Sequence, residues 1–249
     1  GRHFTKSFKI DFASEVFVDS GAQQFLTRFK GSKYPYSARE YVEFAYRFDL
    51  IATLDLPLDI LVGKGLEIED GIAETVKLGV EVLEEASRLG VENKVVPVLQ
   101  GYDDATQWLE CLDLYKEHGV EKSPSGLWGV GSLCMAKGYK LAKSVLEALR
   151  SELRAGEEIH VFGLSITALK HVHHLIDSFD TAAWVYWAKV DGARLDWDPV
   201  RKRFIHLQAR DGKRYDTVTL MVLNAKALLE AVNSLRFLPP ASRKVIDSS

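Results

Sequence analysis

Two aspartates, Asp19 and Asp180, are the residues of this chain best suited to covalent chemistry. An aspartate carboxylate can attack an anomeric carbon and hold a covalent glycosyl intermediate, and a second carboxylate usually handles protons. Asp19 and Asp180 could be such a pair. Each also has a structural interpretation. Asp19 precedes Ser20 and Gly21 and suits a helix N-cap, and Asp180 alone is an ordinary aspartate after a helical pattern.

Asp55 and Gln100 carry the groups needed to bind the polar edge of a purine. A guanine-like base offers two neighbouring donors to a carboxylate, and a glutamine amide can donate and accept at a mixed edge. Gly101 would let a ligand approach the backbone. The alternatives are that Asp55 bonds the following loop backbone and that Gly101 starts a strand-to-helix turn.

Each of these residues follows a short apolar run, so the runs must position them. Predicted strands end at Asp19, Asp55, Gln100, Ser132 and Gly163, and helices are predicted at 68–89, 105–118 and 136–153. Strands that alternate with helices predict a parallel sheet, in which chemistry gathers at the carboxyl ends of the strands. We predict an α/β fold, a (β/α)8 barrel of the TIM type. No GxGxxG follows an early strand, which argues against a dinucleotide-binding sheet.

Other elements are predicted at the two ends of the chain. The first barrel strand would be Phe8 to Phe12, or else is modified or missing, and the last would be Thr219 to Val222. A further short strand would begin just after Asp180. Arg203 to Leu207 and Tyr215 to Leu220 flank Asp211-Gly212, which predicts a hairpin insertion near 200–220. We expect one domain over 1–240 and a tail over 241–249.

The region 189–214 is the one clearly basic segment. It suits contacts with a nucleic-acid backbone, or else a solvated hairpin. The residues predicted to make such contacts are Lys189, Arg194, Arg201, Lys202 and Arg203. The histidines between His171 and His174 lack the spacing expected of helical metal ligands, so we interpret them as a solvated or capping cluster.

Composition adds few limits. The chain has 249 residues, 47% hydrophobic and 27% charged, with net charge −3. It has two distant cysteines, Cys111 and Cys134, which weakly favours a reducing cytoplasm. We expect no secretion signal and no membrane span.

Taken in order, the motifs resemble the tRNA-guanine transglycosylase (queuine/archaeosine tRNA-ribosyltransferase) superfamily, across nearly the whole chain. The corresponding stretches are DSGAQQ at 19–24, TLDLP at 53–57, VLQGY at 98–102, GSL at 131–133, HVFGL at 160–164 and SFDTAAW at 178–184.

This resemblance implies a TIM-type barrel that exchanges a nucleobase, with Asp180 as nucleophile and Asp19 as second carboxylate. Asp55 and Gln100 would bind the purine edge, and Gly131 and Ser132 would present backbone N–H groups to it. Phe162 would pack on a face of the base. The implied partners are tRNA or DNA and a 7-deazaguanine base, with homodimers common in the family.

The chain departs from the family's motifs at several positions. Gln23 stands where the family has a stacking aromatic, and Tyr102 replaces a glycine. Residues 181–249 contain no cysteine, so we predict no zinc and no other cofactor. Ala22, and the tryptophan shortly after Asp180, resemble the divergent branch that inserts 7-deazaguanines into DNA.

Three functions stay open at this point. The chain could be a transglycosylase acting on tRNA or DNA, a non-catalytic nucleic-acid-binding or partner subunit on the same fold, or a nucleosidase releasing deazaguanine bases.

Overall fold

The computed structural model describes residues 15–28, 33–134, 139–190, 192–201, 203–207 and 216–236. They form a mixed α/β structure in which short parallel strands alternate with helices. This confirms the predicted α/β fold with parallel strands. The predicted strand at Phe8 to Phe12, the Asp211-Gly212 turn and the tail 241–249 lie outside the described residues.

Seven short strands run parallel in the spatial order β1-β2-β3 and β4-β5-β6-β7. Their bounds are β1 Phe17–Val18, β2 Leu50–Ala52, β3 Val95–Val96, β4 Val98–Leu99, β5 Leu127–Val130, β6 Glu158–Val161 and β7 Ser178–Phe179. Most of their residues are buried on both faces, as expected for parallel strands covered by helices.

Pro97 divides one extended segment into β3 and β4, because proline has no N–H for the ladder. The chain continues across the gap: the Gly129 N–H bonds the Pro97 carbonyl, and the Val98 N–H donates to the Thr53 hydroxyl at 2.9 Å. The two sheets therefore follow one another through this segment.

The sheet also curls. Phe17 on β1 contacts the rings of His160 and Phe162 at the end of β6, with centroids 5.0 and 5.6 Å apart. Residues from the first and sixth strands thus face a common interior. Closure into an eight-stranded barrel stays a prediction.

Helices follow the strands and cover the sheet. Their bounds are α1 Ala22–Arg28, α2 Ala38–Ala45, α3 Leu58–Leu61, α4 Ile68–Arg88, α5 Ala105–Glu117, α6 Lys140–Glu152, α7 Ile166–Val172, α8 Ala183–Lys189 and α9 Thr217–Arg236. In α4 the residues at helical spacing, Ile72, Val76 and Gly79, are buried. Reciprocal side-chain caps at Ser37 and Asp104 fix where α2 and α5 begin.

The C-terminal part differs from the prediction in three places. Asp180 is followed by α8 and not by a strand; the strand β7 ends just before it. The described hairpin pairs β8 Arg194–Asp198 with β9 Arg203–Leu207 in antiparallel register, so its turn lies at 199–202. The strand predicted at Thr219 to Val222 is wrong, because these residues lie inside α9.

Tertiary packing explains the last difference. α9 packs on α8 and β8, and Asn224, fully buried on α9, ties the three together. Its side chain accepts from the Leu195 N–H at 2.6 Å and donates to the carbonyls of Ala193 and Trp184 at 3.1 and 3.3 Å. These bonds hold α9 against the start of α8 and the start of β8.

By length and composition, Thr217–Leu235 of α9 could cross a membrane, with a mean hydropathy of 1.3, although no span was expected. Within the protein, 28% of this window is buried, and α9 packs on α8 and β8. A cytoplasmic location stays a prediction.

Candidate functional site

A cavity of about 940 Å³ opens at the carboxyl ends of the strands. Its size suits a small-molecule or nucleotide ligand. Most of the residues predicted from sequence to do chemistry line it. They are Asp19, Gln23, Asp55, Gln100, Gly131, Ser132, Phe162, Asp180 and Arg203.

Asp180 follows β7 directly and is held by backbone groups of the neighbouring strand end. Its main-chain N–H bonds the Val161 carbonyl, and its side-chain Oδ1 accepts from the Gly163 N–H at 2.9 Å. Gly163 has φ of +64°, a conformation that glycine adopts without strain. Among the described residues Oδ2 of Asp180 has no partner, and the side chain is 57% exposed. One oxygen is thus fixed and the other is available.

His160 stands beside this carboxylate. Its Nε2 lies 3.6 Å from Asp180 Oδ1, and its Nδ1 hydrogen-bonds the Ser178 hydroxyl at 2.8 Å. The imidazole is 7% exposed and contacts the rings of Phe17 and Phe162. Ser178, His160 and Asp180 therefore lie in a row, in which the hydrogen bond to Ser178 orients the ring and Nε2 faces the Asp180 carboxylate.

Asp19 lies in the same cavity near Asp180. Its side chain is exposed to the open cavity. The protein atoms around it nevertheless remove much of the water that would solvate its charge. This desolvation, and then the charge of Asp180, raise its pKa. Backbone N–H groups of Ser20 and Gly21 and the charge of His160 act in the opposite direction. Two carboxylates with unequal environments are the arrangement that acid–base chemistry requires.

Asp55 is the buried carboxylate of the site, at 7% exposure. Its Oδ1 accepts from the Ser20 hydroxyl at 2.6 Å and its Oδ2 from the Gln100 amide. Burial, followed by the charge of Asp19, raises the pKa of Asp55 to about 7, although both hydrogen bonds lower it. The network continues through Gln100, whose Oε1 accepts from the Ser132 hydroxyl.

Tyrosine hydroxyls fix the two strand ends that bear these carboxylates. Tyr34 donates to the Asp55 carbonyl and Tyr36 to the Ser20 carbonyl, each at 2.7 Å. Side-chain hydrogen bonds therefore hold the backbone beside Asp19 and at Asp55, the two carboxylates that form the floor of the cavity.

Gly131 and Ser132 were both predicted to present backbone N–H groups to the base, but the structure gives them different roles. The Gly131 N–H already bonds the Leu99 carbonyl at 3.0 Å, so it is not available to a base. A Cβ at Gly131 would lie 2.2 Å from Gln100 Nε2, so the glycine makes room for that side chain. Ser132 has φ of +58°, rare for a residue with a side chain. Its N–H has no partner in the described part of the chain.

Gly101 is not brought to the cavity. A Cβ there would lie 2.4 Å from the ring of Trp108, so its small size serves the packing of α5 on the strand end. A structural role for Gly101 therefore fits the structure better than the predicted role in ligand binding.

The predicted basic residues are dispersed. Arg203 lines the cavity, whereas Lys189 and Arg194 do not, and Lys202 lies outside the described residues. Arg201 is 68% exposed and 3.8 Å from Asp198 across the hairpin turn. Of the four that the structure describes, Arg203 alone therefore lines the cavity.

His160 and Phe17 are cavity residues that were not selected from the sequence. Side chains alternate along a strand, so a residue two before a strand-end residue faces the same way. Phe17 stands two before Asp19, and His160 two before Phe162. Together the three rings form one wall of the cavity.

In the described residues, no three His, Cys, Asp or Glu side chains come together to hold a metal ion. The absence of zinc stays a prediction, since part of 181–249 is not described.

No curated protein matches the chain. A family profile, DpdA, described as DeoxyPurine in DNA protein A, matches residues 10–196. The match includes every strand from β1 to β7 and both Asp19 and Asp180. Because it covers well over half of the chain, this protein belongs to the DpdA family, DeoxyPurine in DNA protein A, which is associated with DNA modification.

Proposed function

We propose that this protein exchanges guanine in DNA for a 7-deazaguanine base, through a covalent intermediate between Asp180 and the deoxyribose. One observation carries the proposal. Asp180 has one oxygen fixed by the Gly163 N–H and the other unpartnered among the described residues, in a cavity shared with Asp19 and Asp55. Family membership supports DNA, and not tRNA, as the polymer.

In the first step, Asp180 Oδ2 forms a bond to C1′ as the bond between C1′ and the base nitrogen breaks. The electron pair of the broken bond stays with the base, which takes up a proton and leaves as neutral guanine. In the second step, the ring nitrogen of the incoming base loses its proton and bonds C1′, and the Asp180 carboxylate is released. No atom or electron is left over, and no cofactor is required.

Asp19 is the group that we propose gives and regains this proton. Its raised pKa increases its protonated fraction, which a proton donor to the leaving base requires. Once Asp180 is esterified, its charge no longer raises the pKa of Asp19. This change favours transfer of the Asp19 proton to the leaving base, and the Asp19 carboxylate left by that transfer then accepts the proton of the incoming base.

His160 is a positioning residue in this scheme. Its Nε2 faces Oδ1 of Asp180 at 3.6 Å, while the Ser178 hydroxyl bonds the other ring nitrogen, and we assign the ring proton to Nε2. A donor on Oδ1 directs the lone pairs of Oδ2 toward the substrate and stabilises the carboxylate when it is released.

We assign recognition of the base to Asp55, Gln100 and the free N–H of Ser132. Each Asp55 oxygen already accepts one hydrogen bond and can accept a second, because a carboxylate has about four acceptor sites. The N1–H and amino group of guanine would supply those bonds. The Ser132 N–H suits the carbonyl oxygen of the base.

The experiment is to incubate the protein with a guanine-containing DNA oligonucleotide and labelled guanine or 7-deazaguanine. We expect label in DNA, and without incoming base a protein–DNA adduct whose mass places the sugar on Asp180. Asp180→Asn should lose both signals, whereas Asp113→Asn, an exposed matched control on α5, should keep them. Exchange by Asp180→Asn at the wild-type rate would refute the assignment.

The partner-subunit alternative receives less support. It predicts an occluded cavity or lost carboxylates, whereas the cavity is open and lined by Asp19, Asp55 and Asp180. Crystals soaked with 7-deazaguanine would test it directly, since base density between Phe162 and Asp55 is expected only for an enzyme.

A further inference from the structure

The part of the cavity lining that comes from α7, α8 and β9, here called the outer wall, carries two cations that the base chemistry does not use. Lys170 on α7 and Arg203 on β9 both line the cavity. Across the described residues, neither side chain has an ion pair or a hydrogen bond. We propose that this wall is a second subsite, which binds the nucleotide next to the exchanged one through its phosphate and its base. The proposal rests on the proposed function, because it takes the ligand to be a polynucleotide strand.

The distribution of charge supports a phosphate at this wall. The floor of the cavity holds Asp19, Asp55 and Asp59, and its side holds Asp180. A phosphate among these carboxylates would be repelled, whereas the base of a nucleotide is neutral. With the base at the floor, the phosphates of the strand must lie outward, and the cations Lys170 and Arg203 stand there.

Both cations are attached to rigid elements. Lys170 belongs to the last turn of α7, whose Ala168, Leu169 and Val172 are buried in the core. Arg203 is opposite Asp198 in the hairpin, and the next residue, Phe204, packs on Trp197 with ring centroids 4.9 Å apart.

Asp198 does not neutralise Arg203 fully. Its carboxylate also accepts the N–H groups of Val200 and Arg201 at 3.0 Å and has the Arg201 guanidinium 3.8 Å away. Much of its charge is therefore directed to the turn, and Arg203 keeps donors for a ligand.

Aromatic residues complete the subsite. Tyr186 and Trp187 on α8 line the same part of the cavity, and Tyr186 is 55% exposed. An exposed tyrosine beside unpaired cations is a surface on which a base can stack, as in proteins that bind single strands. The Ala193 N–H bonds the Trp187 carbonyl at 2.9 Å, which joins the end of α8 to the hairpin bearing Arg203.

This arrangement also separates the substrate classes. A free nucleoside has no phosphate and no neighbouring base, so it would leave the outer wall empty. A strand would fill both parts of the cavity. We therefore infer that the protein acts on polynucleotides and uses free deoxyguanosine poorly, which opposes the nucleosidase alternative.

The test measures binding of a fluorescent single-stranded oligonucleotide with one guanine, by anisotropy, at salt concentrations between about 50 and 200 mM. Lys170→Gln and Arg203→Gln should each weaken binding by about threefold to tenfold at low salt. Each should also reduce the slope of log affinity against log salt by about one. Lys77→Gln and Arg39→Gln, exposed residues distant in sequence on α4 and α2, are the matched controls and should keep both values.

Stacking is tested by pairing a protein change with a DNA change. Tyr186→Ala should weaken binding by about tenfold, and so should an abasic nucleotide beside the guanine in the wild-type complex. Tyr186→Ala with the abasic strand should bind little more weakly than with either change alone, because both changes remove the same contact. Circular dichroism of Tyr186→Ala and of Tyr186→Phe, which should bind normally, separates lost stacking from misfolding.

The outcomes separate the two proposals. Unchanged salt slopes in Lys170→Gln and Arg203→Gln, or equal losses in the two controls, would overturn the subsite. Additive losses for Tyr186→Ala and the abasic strand would overturn the stacking contact. Salt-sensitive binding as expected, but without exchange or adduct, would keep the subsite and overturn the proposed function.

Discussion

Asp55→Asn should make the protein more stable at neutral and alkaline pH while weakening base binding. The physical reason is the buried position of Asp55, where the ionised form is disfavoured and the pKa is raised to about 7 from an ordinary value of 3.8. Between about pH 4 and 7, the folded protein therefore keeps a proton that the unfolded chain has lost. Because unfolding releases that proton, the free energy of unfolding falls as pH rises through this window.

The magnitude follows from the size of the shift. About three pKa units correspond to roughly 4 kcal/mol, at about 1.4 kcal/mol per unit. An asparagine does not titrate, so the variant lacks this pH-dependent loss. Its side chain also has the same shape, and a flip of the Gln100 amide would restore the hydrogen bond between residues 55 and 100.

The assay is equilibrium urea unfolding of wild type and Asp55→Asn at steps from about pH 4 to 8, followed by tryptophan fluorescence. We expect the difference in unfolding free energy to grow by roughly 4 kcal/mol in favour of the variant over this range. Asp113→Asn, whose side chain is 67% exposed, is the control and should run parallel to wild type. A constant difference between Asp55→Asn and wild type would refute this account of the site.

Three further predictions concern other parts of the structure. His160→Phe should lower kcat for exchange by about tenfold to a hundredfold and change the pH profile, with little effect on KM. His160→Gln should recover part of the rate. Equal kcat values in wild type and both variants would contradict the positioning role of His160. Gly131→Ala should weaken guanine binding measured by calorimetry, because its Cβ would lie 2.2 Å from Gln100 Nε2; normal affinity would show that the amide position is unimportant. Asn224→Ala should cost roughly 2 kcal/mol of unfolding free energy, since it leaves buried backbone groups unpaired, and a melt equal to wild type would argue against the bridging role of Asn224.

The chemical floor of the site was predictable because its residues follow the strands directly. Asp19, Asp55, Gln100 and Ser132 each stand just after an apolar run, and parallel strands bring such residues to one end of the sheet. The strand bounds themselves were less exact, since Pro97 interrupts a run that reads as continuous in sequence.

The outer wall was not predictable in the same way. Lys170 belongs to a short helix with no sequence signal for a ligand, and only the tertiary fold brings it and Arg203 to the lining of one cavity. The β-branched run at Thr217 to Thr219 favours a strand by local preference, yet packing of α9 on α8 and β8 decides for a helix. The Asp211-Gly212 dipeptide is a stronger turn signal than the residues after Asp198. The described hairpin nevertheless turns between Asp198 and Arg203, where the Asp198 side chain accepts hydrogen bonds from the turn backbone.

The hydrogen-bonded chain from Ser20 through Asp55 and Gln100 to Ser132 bears on how the empty protein discriminates between bases. Its polar groups already satisfy one another, and each Asp55 oxygen can still accept one more hydrogen bond, so a guanine can add its donors without breaking the network. An analogue that cannot donate to Asp55 would cover these acceptor sites and keep water from them, which makes it a poor competitor. The floor would then add both affinity and selectivity for guanine, whereas the aromatic wall of Phe17 and Phe162 would add affinity for any flat base. Altering one should leave the other largely intact, which makes the two separable targets for changing which base the enzyme accepts.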